Sequence, residues 1–200
     1  MGYKSKYAVT DKFLQILDDG RLTSGRGDPV YFSETLIIFT SNLGIYRTDE
    51  NGSRTANVTT EQDYEVVERN IRQEIEHYFK SQLNRPEILN RIGENIIVFD
   101  FIREPVGLMI FDAMLSVILK GVAEHQKIDL TLAPDAQAVL QQLCLEDLSN
   151  GGRGIRNQLE YHFINPLARG LFDCDANAGE QWKITAIQRH ANQTQLTLEQ

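Results

Sequence analysis

A near-continuous apolar run, Thr35 to Thr40, constrains the fold of this chain more than any other feature. Its four central residues, Leu36 to Phe39, are all large and apolar. A strand with one solvated face alternates apolar and polar residues, whereas a continuous apolar run is typical of a strand buried on both faces of a parallel sheet. The run therefore predicts an α/β layer structure, in which helices pack against a parallel sheet.

The first hundred residues carry further elements of such a layer. Apolar residues at helical spacing predict a helix from Asp11 to Leu17, ended by Asp18-Asp19-Gly20, and an amphipathic helix from Tyr64 to Phe79. The other predicted elements of this half are a hairpin from Arg21 to Phe32, a mobile loop from Ile45 to Thr60, a short helix between Pro86 and Gly93, and a second buried strand from Asn95 to Phe99. Residues 1–100 thus predict part of an α/β domain.

Residues 101–200 predict a small, separate α+β module. A composition break at Asp100 to Glu104 marks its start. Its predicted elements are a long helix to about Gln126, a strand from Ile128 to Leu132, a helix from Ala133 to about Leu148, a helix through Leu159 and Leu171, and two strands, Trp182 to Ile187 and Gln195 to Leu198. The chain is therefore expected to hold two units.

The composition, with 42% hydrophobic and 24% charged residues, is that of a globular protein. A formal net charge of −8 argues against a nucleic-acid partner held through its phosphates. Two cysteines without disulfide or metal-binding spacing favour a reducing compartment, and we expect a cytoplasmic protein with no bound metal. No segment approaches the length of a membrane span on this interpretation, so no membrane partner is expected. The four histidines share no catalytic motif and are expected at the surface or partly packed.

Asn42 and two groups of arginines are the candidate functional residues. Asn42 lies directly after the apolar run, either as a turn former or as an amide held at a strand tip to act on a ligand. Arg85 and Arg91 bracket the stretch "RPEILNR", where a guanidinium can grip phosphate in two-point fashion or simply pair with Glu87 or Glu94.

Arg153 stands among glycines at a predicted helix start, "NGGRGIR". Backbone N–H groups and the helix dipole favour an anion at such a position. The alternative is a loop arginine whose neighbouring glycines serve only to turn the chain. A glycosylation triplet at Asn57-Val-Thr is interpreted as a chance match.

Three stretches in the right order carry a family resemblance that spans roughly residues 11 to 188. They are "DKFLQILDDGRLTSGRGDPVYFSETLIIFTSNLG", "NRPEILNRIGENIIVF" and "NGGRGIRNQLEYHFINPLARGLF". Together they resemble the C-terminal half of the second ATPase module of Clp-type AAA+ unfoldases, the ClpA, ClpB and ClpC group. The resemblance implies that residues 1–100 are the C-terminal part of an AAA+ large subdomain and residues 101–200 the small subdomain.

The resemblance also implies roles for individual residues. Asn42 matches sensor 1, which lies between the γ-phosphate and the attacking water, and Arg91 matches the arginine finger that reaches the neighbouring subunit's nucleotide. Arg153 matches sensor 2, with Gly-Gly-Arg in place of the family's Gly-Ala-Arg. The Arg21 to Phe32 hairpin resembles the hairpin that faces the ring's channel, and its implied channel residues are Arg21, Leu22, Arg26 and Tyr31.

Two segments that hold the nucleotide in this family are missing from the sequence. No G-x-x-x-x-G-K-[ST] loop occurs, and "IIVFDF" at Ile96 to Phe101 lacks the second acid of a Walker B motif. The family pattern suggests a chain that starts just after the two Walker B acids. Met1 to Thr10 is expected to have no counterpart in the family. ATP and Mg²⁺ are therefore expected to serve a longer parent protein, and no tight binding or hydrolysis of ATP by this chain alone is expected.

The implied partners are neighbouring AAA+ subunits in a ring, expected to be a hexamer, and substrate polypeptides threaded through it. Ile45 to Thr60 lacks the Ile-Gly-Leu type of tripeptide that docks ClpA-like proteins on the ClpP peptidase, so such docking is not expected. The resemblance implies ATP-driven protein unfolding or disaggregation by the parent. The alternative is a catalytically degenerate AAA+ relative that acts as an assembly or regulatory module.

Overall fold

The computed structural model describes residues 4–49, 52–190 and 193–200, and it divides into two compact units, Met1–Asp100 and Phe101–Gln200. The division falls at the composition break near Asp100. The assignment of these units as large and small AAA+ subdomains stays a prediction.

The first unit begins with a helix and a hairpin, as the sequence predicts. Helix α1 spans Lys4–Asp19 and ends where the Gly20 N–H donates to the Ile16 carbonyl at 3.0 Å. Strands β1 (Arg21–Thr23) and β2 (Pro29–Tyr31) then pair antiparallel. The helix is longer than predicted because it starts at Lys4 rather than at Asp11.

Two more helices complete the regular helical structure described in this unit. Helix α2 spans Tyr64–His77 and continues through a π-helical turn, Tyr78–Gln82. It buries Val67 and Ile71 at the spacing of one helical face. Helix α3 spans Pro86–Ile92, with proline in its first turn. Both helices confirm predictions from the sequence.

The predicted parallel sheet is not formed in the described part of the first unit. Neither Thr35 to Thr40 nor Asn95 to Phe99 is a strand, and neither pairs with any strand that the structure describes. Ladder hydrogen bonds from neighbouring strands are what stabilise a strand, and the described residues offer none to these segments. Their outward side chains are consequently left exposed, Leu36 by 86% and Phe99 by 87%.

The predicted mobile loop from Ile45 to Thr60 is wrong in part, because a second hairpin forms there. Strands β3 (Tyr46–Thr48) and β4 (Arg54–Ala56) pair antiparallel. The Arg54 guanidinium lies 4.2 Å from the centre of the Tyr46 ring, a cation–π contact across the hairpin. A salt bridge of 3.5 Å from Arg47 to Glu74 joins the hairpin to α2.

The second unit combines helices with a small sheet. A three-stranded sheet of order β5-β6-β7 has β5 parallel to β6 and β6 antiparallel to β7. The elements are α4 (Glu104–His125), β5 (Asp129–Leu132), α5 (Pro134–Leu145), α6 (Gly151–Leu159), a π-helical turn (Glu160–Ile164), α7 (Asn165–Asp173), β6 (Gln181–His190) and β7 (Gln193–Glu199).

The core of the second unit lies between its helices and the sheet. The fully buried side chains include Phe111, Leu140, Phe163 and Ile184. Burial also raises the pKa of the Cys144 thiol to about 12, so this cysteine packs as an apolar residue.

Two sequence-based expectations fail in the second unit. His162 is only 4% exposed, with its Nδ1 lying 2.6 Å from the Thr194 hydroxyl, so it is neither a surface nor a partly packed residue. Helix α4, at 22 residues, is long and apolar enough by length and composition to cross a membrane, which contradicts the expectation that no segment reaches that length. Gly107, Phe111 and Leu115 of this helix are buried in the unit, and a core helix passes the same test.

Candidate functional site

Asn42 opens a turn of residues 42–45, the Asn42 turn, which follows the apolar segment Leu36 to Phe39. The Ser41 hydroxyl accepts a hydrogen bond from the Leu43 N–H at 3.0 Å, and the Asn42 carbonyl accepts one from the Ile45 N–H at 3.4 Å. The Asn42 side chain itself is exposed, and it makes no hydrogen bond with any residue that the structure describes. Its carboxamide is thus available to a ligand.

Gly44 packs the end of this turn against α2. It is buried, and its φ of +92° is a conformation that side chains rarely adopt. A Cβ atom at this position would lie 2.9 Å from the Ile71 carbonyl oxygen. Only glycine therefore allows the turn to approach the helix this closely.

Asn57, directly after β4, connects the same turn to α2. Its side-chain nitrogen donates to the Gly44 carbonyl at 2.7 Å and to the Asn70 carbonyl at 3.1 Å. Its backbone N–H donates to the Ile45 carbonyl at 2.9 Å. The second hairpin thus returns the chain to the Asn42 turn.

Helix α2 also holds the second apolar segment. Arg72 donates to the Ile96 carbonyl at 2.7 Å, and the Tyr64 hydroxyl donates to the Val98 carbonyl at 3.1 Å. Val98 is buried, whereas Ile97 and Phe99 point outward. One helix therefore positions both the Asn42 turn and the segment that follows α3.

Arg91, in the last turn of α3, is held by a residue that the sequence did not suggest. Its Nε lies 2.5 Å from Asp18 Oδ1, at the end of α1, and the Arg91 side chain is 56% exposed. The pairing with Glu87 that the sequence left open for either arginine is made by Arg85, at 3.2 Å. Both arginines therefore have an acidic partner, and that of Arg91 is an exposed one from another helix.

Arg153 is the third residue of α6 and is exposed. The helix begins after Asn150, whose carbonyl accepts the Gly154 N–H at 3.3 Å, and no side chain caps this end. Within the described part of the chain the Arg153 guanidinium forms no ion pair or hydrogen bond. A free guanidinium beside a helix start suits an anion.

The candidate channel residues lie on the first hairpin. Arg21 is opposite Tyr31 and Leu22 is opposite Val30 in its register. Arg26 is in the turn, where its N–H donates to the Ser24 hydroxyl at 3.2 Å. Tyr31 is 66% exposed, so the hairpin presents an aromatic ring and two arginines to its surroundings.

No hydrogen bond or ion pair among the described residues links Asn42 to Arg91, and Arg153 belongs to the other unit. A search of residues 4–49, 52–190 and 193–200 also finds no cluster of His, Cys, Asp or Glu that could hold a metal. The first unit thus anchors Asn42 through α2 and holds Arg91 through α1, by separate sets of contacts.

Sequence reasoning missed Asp18 and Asn57. In the sequence Asp18 is only part of a helix stop, and nothing local distinguishes it from Asp19 as a partner for Arg91. Asn57 stands out in the sequence only through its glycosylation triplet, and a residue that is 8% exposed is not accessible for that modification. The Asn51-Gly52 dipeptide, a common hairpin turn, was the available signal that Asn57 follows a strand.

Comparison with protein families identifies the first unit. A family model described as "AAA domain (Cdc48 subfamily)" matches residues 4–95. The match starts at residue 4, so the expectation that Met1 to Thr10 has no counterpart is wrong from that residue on.

Curated relatives extend the similarity over most of the chain. ClpB2, a chloroplastic chaperone protein of Oryza sativa subsp. japonica, is 33% identical over 170 residues, which are 84% of this chain and 16% of that protein. The chaperone protein ClpB of Staphylococcus aureus (strain COL) is 36% identical over 165 residues, 81% of this chain and 18% of that protein. ClpB of Brucella melitensis biotype 1 is 33% identical over 178 residues, 89% of this chain and 19% of that protein.

The chain therefore spans less than a fifth of the length of these curated relatives. The matched residues include the Asn42 turn, α3 with Arg91, and the first hairpin. A family model over residues 4–95 and ClpB similarity at 33–36% identity over 81 to 89% of the chain's length together support its identification as a Clp-type AAA+ fragment.

Proposed function

We propose that this chain is the sensing half of a Clp-type ATPase module that couples ATP hydrolysis to protein unfolding or disaggregation. The observation that carries the proposal is the Asn42 turn, in which an exposed carboxamide with no hydrogen-bond partner among the described residues stands on a backbone fixed to α2. A rigidly held polar group aimed at a reacting centre is the arrangement that electrostatic catalysis needs.

Each candidate residue would contribute positioning or charge. Phosphoryl transfer depends mainly on these two effects, and an arginine supplied by a neighbouring subunit contributes about 10³ to 10⁵ in rate. In this proposal Asn42 orients the attacking water, Arg91 neutralises charge in the neighbour's site, and Arg153 contacts phosphate from the second unit.

The residues of this chain suit the sensing of a phosphate better than the holding of a nucleotide. In the part of the chain that the structure describes, Arg153 has a free guanidinium at a helix start and Asn42 has a free carboxamide. However, the sequence contains no phosphate-binding G-x-x-x-x-G-K-[ST] loop. ATP and Mg²⁺ would therefore be held by residues outside these 200, and no hydrolytic step is assigned to this chain alone.

The proposed partners follow from the same role. Arg91 is needed only if a second AAA+ subunit presents its nucleotide, which requires a ring, expected to be a hexamer. The exposed Tyr31 and the arginines of the first hairpin suit contact with a threaded polypeptide. Docking on ClpP is not expected, and we assign the protein to the cytoplasm.

A chimera tests this function. Residues 11–188 would replace the aligned segment of the Staphylococcus aureus ClpB relative, and both ATPase rate and recovery of a heat-aggregated reporter enzyme would be measured. We expect Asn42→Ala and Arg91→Ala each to lower kcat by about 10² or more. Arg85→Ala, in the same stretch but paired with Glu87, is the matched control and should change kcat little.

Two outcomes would contradict the proposal. A chimera whose ATPase rate is unaffected by Asn42→Ala would favour a degenerate, regulatory AAA+ module instead. A magnesium-dependent ATPase activity of the purified 200-residue chain that Asn42→Ala abolishes would show that the nucleotide is held here after all.

A further inference from the structure

We propose that Asn57 is a positioning residue, whose carboxamide fixes the backbone of the Asn42 turn to α2. This inference rests on the proposed role of Asn42, and it adds a residue that the sequence did not suggest. The second hairpin is then the element that delivers Asn57 to the turn, rather than a loose connection.

Three hydrogen bonds carry the inference. The Asn57 side-chain nitrogen bridges the Gly44 and Asn70 carbonyls at 2.7 and 3.1 Å, and the Asn57 N–H reaches the Ile45 carbonyl at 2.9 Å. These carbonyls belong to the turn on one side and to α2 on the other. Asn57 therefore joins two segments that are otherwise linked here by the packing of Gly44 on Ile71.

The orientation of the Asn57 amide is fixed by its surroundings. Two carbonyl oxygens face its nitrogen, so a flipped amide would place oxygen against oxygen. Its own Oδ1 is buried and has no donor among the described residues. A buried acceptor without a partner costs free energy. The presence of asparagine here is therefore explained by the two carbonyls to which its N–H groups donate.

The register of the hairpin explains how Asn57 reaches the turn. Tyr46 pairs with Ala56, so the residue after β4 lies beside the residue before β3. The Arg47–Glu74 salt bridge and the buried Val58 hold this hairpin end in place.

The consequence for Asn42 follows from the spacing. The clamped Gly44 carbonyl is two residues from Asn42, too close for the turn to shift without moving Asn42 as well. A displacement of about 1 Å in a catalytic group can cost about 10²-fold in rate. Asn57 would therefore act on the reaction only through the position of Asn42.

The first test needs only the wild-type chain. Side-chain amide exchange measured by NMR should show the Asn57 NH₂ protons strongly protected, compared with those of Asn95, which donates to the Ile92 carbonyl at 3.1 Å on the surface. Equal exchange rates for the two side chains would overturn the inference.

The second test uses substitutions. In Asn57→Leu we expect the Leu43 and Ile45 amides to exchange on the order of tenfold faster or more, relative to the Ile71 amide in α2, because a buried hydrogen bond is lost. The ¹³C chemical shift of the Gly44 carbonyl should also change in this variant, because its hydrogen bond from Asn57 is lost. Asn57→Ser, which keeps a donor, should recover part of the protection.

Val58→Ala is the matched control, because it removes buried apolar volume next to Asn57 and leaves the carboxamide. Val58→Ala should raise the amide exchange rates of the turn and of α2 by similar factors. The same uniform pattern in Asn57→Leu would overturn the positioning role. If Asn42→Ala leaves the ATPase rate of the chimera unchanged while the exchange result is intact, the proposed function is removed and Asn57 remains the anchor of the turn.

Discussion

The polar residues of the candidate site differ in how free their side chains are. Asn42 and Arg153 have unpartnered side chains in the described structure, whereas Arg91 is paired with Asp18. An exposed ion pair of this kind contributes only about 0 to 1 kcal/mol. The Asp18 pair therefore holds Arg91 in place when no neighbour is present, but it is too weak to prevent the guanidinium from turning to a phosphate, which it can bind in bidentate fashion.

His162 gives a prediction for pH dependence at the level of one residue. Burial lowers the pKa of His162, and Arg189 lowers it further, while Glu146 acts in the opposite direction. The unfolded chain then binds more protons than the folded one as pH falls below the ordinary histidine pKa of about 6.5. Stability contributed by neutral His162 is present above that pH and is lost as pH falls through the lower, folded pKa.

We therefore expect the second unit to lose stability as pH falls below about 6.5, with His162 accounting for up to one proton of the slope. The stability of the second unit at each pH is measured by urea unfolding, which the fluorescence of Trp182 in β6 reports. His162→Gln should flatten the slope, whereas His125→Gln, at an exposed site, should leave it unchanged. An unchanged slope in His162→Gln would contradict the prediction.

At the scale of elements, the contact between the Asn42 turn and α2 depends on Gly44. Gly44→Ala should destabilise the first unit by about 2 to 4 kcal/mol, since left-handed strain adds to a clash with the Ile71 carbonyl. Gly27→Ala is the matched control, because Gly27 has a φ of +93° and open space around its Cβ position. It should cost only about 1 to 2 kcal/mol.

Urea titration followed by the amide signal of Val67 in α2 separates the two variants, and Trp182 fluorescence should be unaffected in both because it reports the second unit. Equal losses for Gly44→Ala and Gly27→Ala would mean that the close approach to Ile71 contributes nothing.

The helices could be predicted from the sequence, whereas the two predicted strands of the first unit, Thr35 to Thr40 and Asn95 to Phe99, do not form. Helix α2 makes its own backbone hydrogen bonds, and its apolar spacing identifies its buried face. Thr35 to Thr40 has an equally clear pattern, but a strand needs a neighbour, and sequence pattern does not reveal whether that neighbour is present. Asn42 was found because it follows this run, and Asn57 was missed because its partners, Gly44 and Asn70, are each 13 residues away.

At the scale of the whole molecule, the two units differ in how completely they bury their apolar residues. The second unit has a continuous core from α4 to β7. The first unit leaves Leu36, Ile38, Ile97 and Phe99 at least 74% exposed on two segments that pair with no described strand. Segments with exposed apolar side chains and no neighbouring strand readily pair with another chain.

We therefore expect the 200-residue chain to self-associate through the first unit. Light scattering across a range of concentrations should show a rising mass, and Ile97→Ser with Phe99→Ser should reduce it because both side chains point outward from a segment held by α2. Met109→Ser with Val117→Ser is the matched control, since these residues are 72% and 69% exposed but lie on a helix whose backbone is already paired. A wild-type monomer at every concentration would contradict the expectation. Equal effects of the two double variants would show that apolar exposure alone, without an unpaired backbone, drives the association.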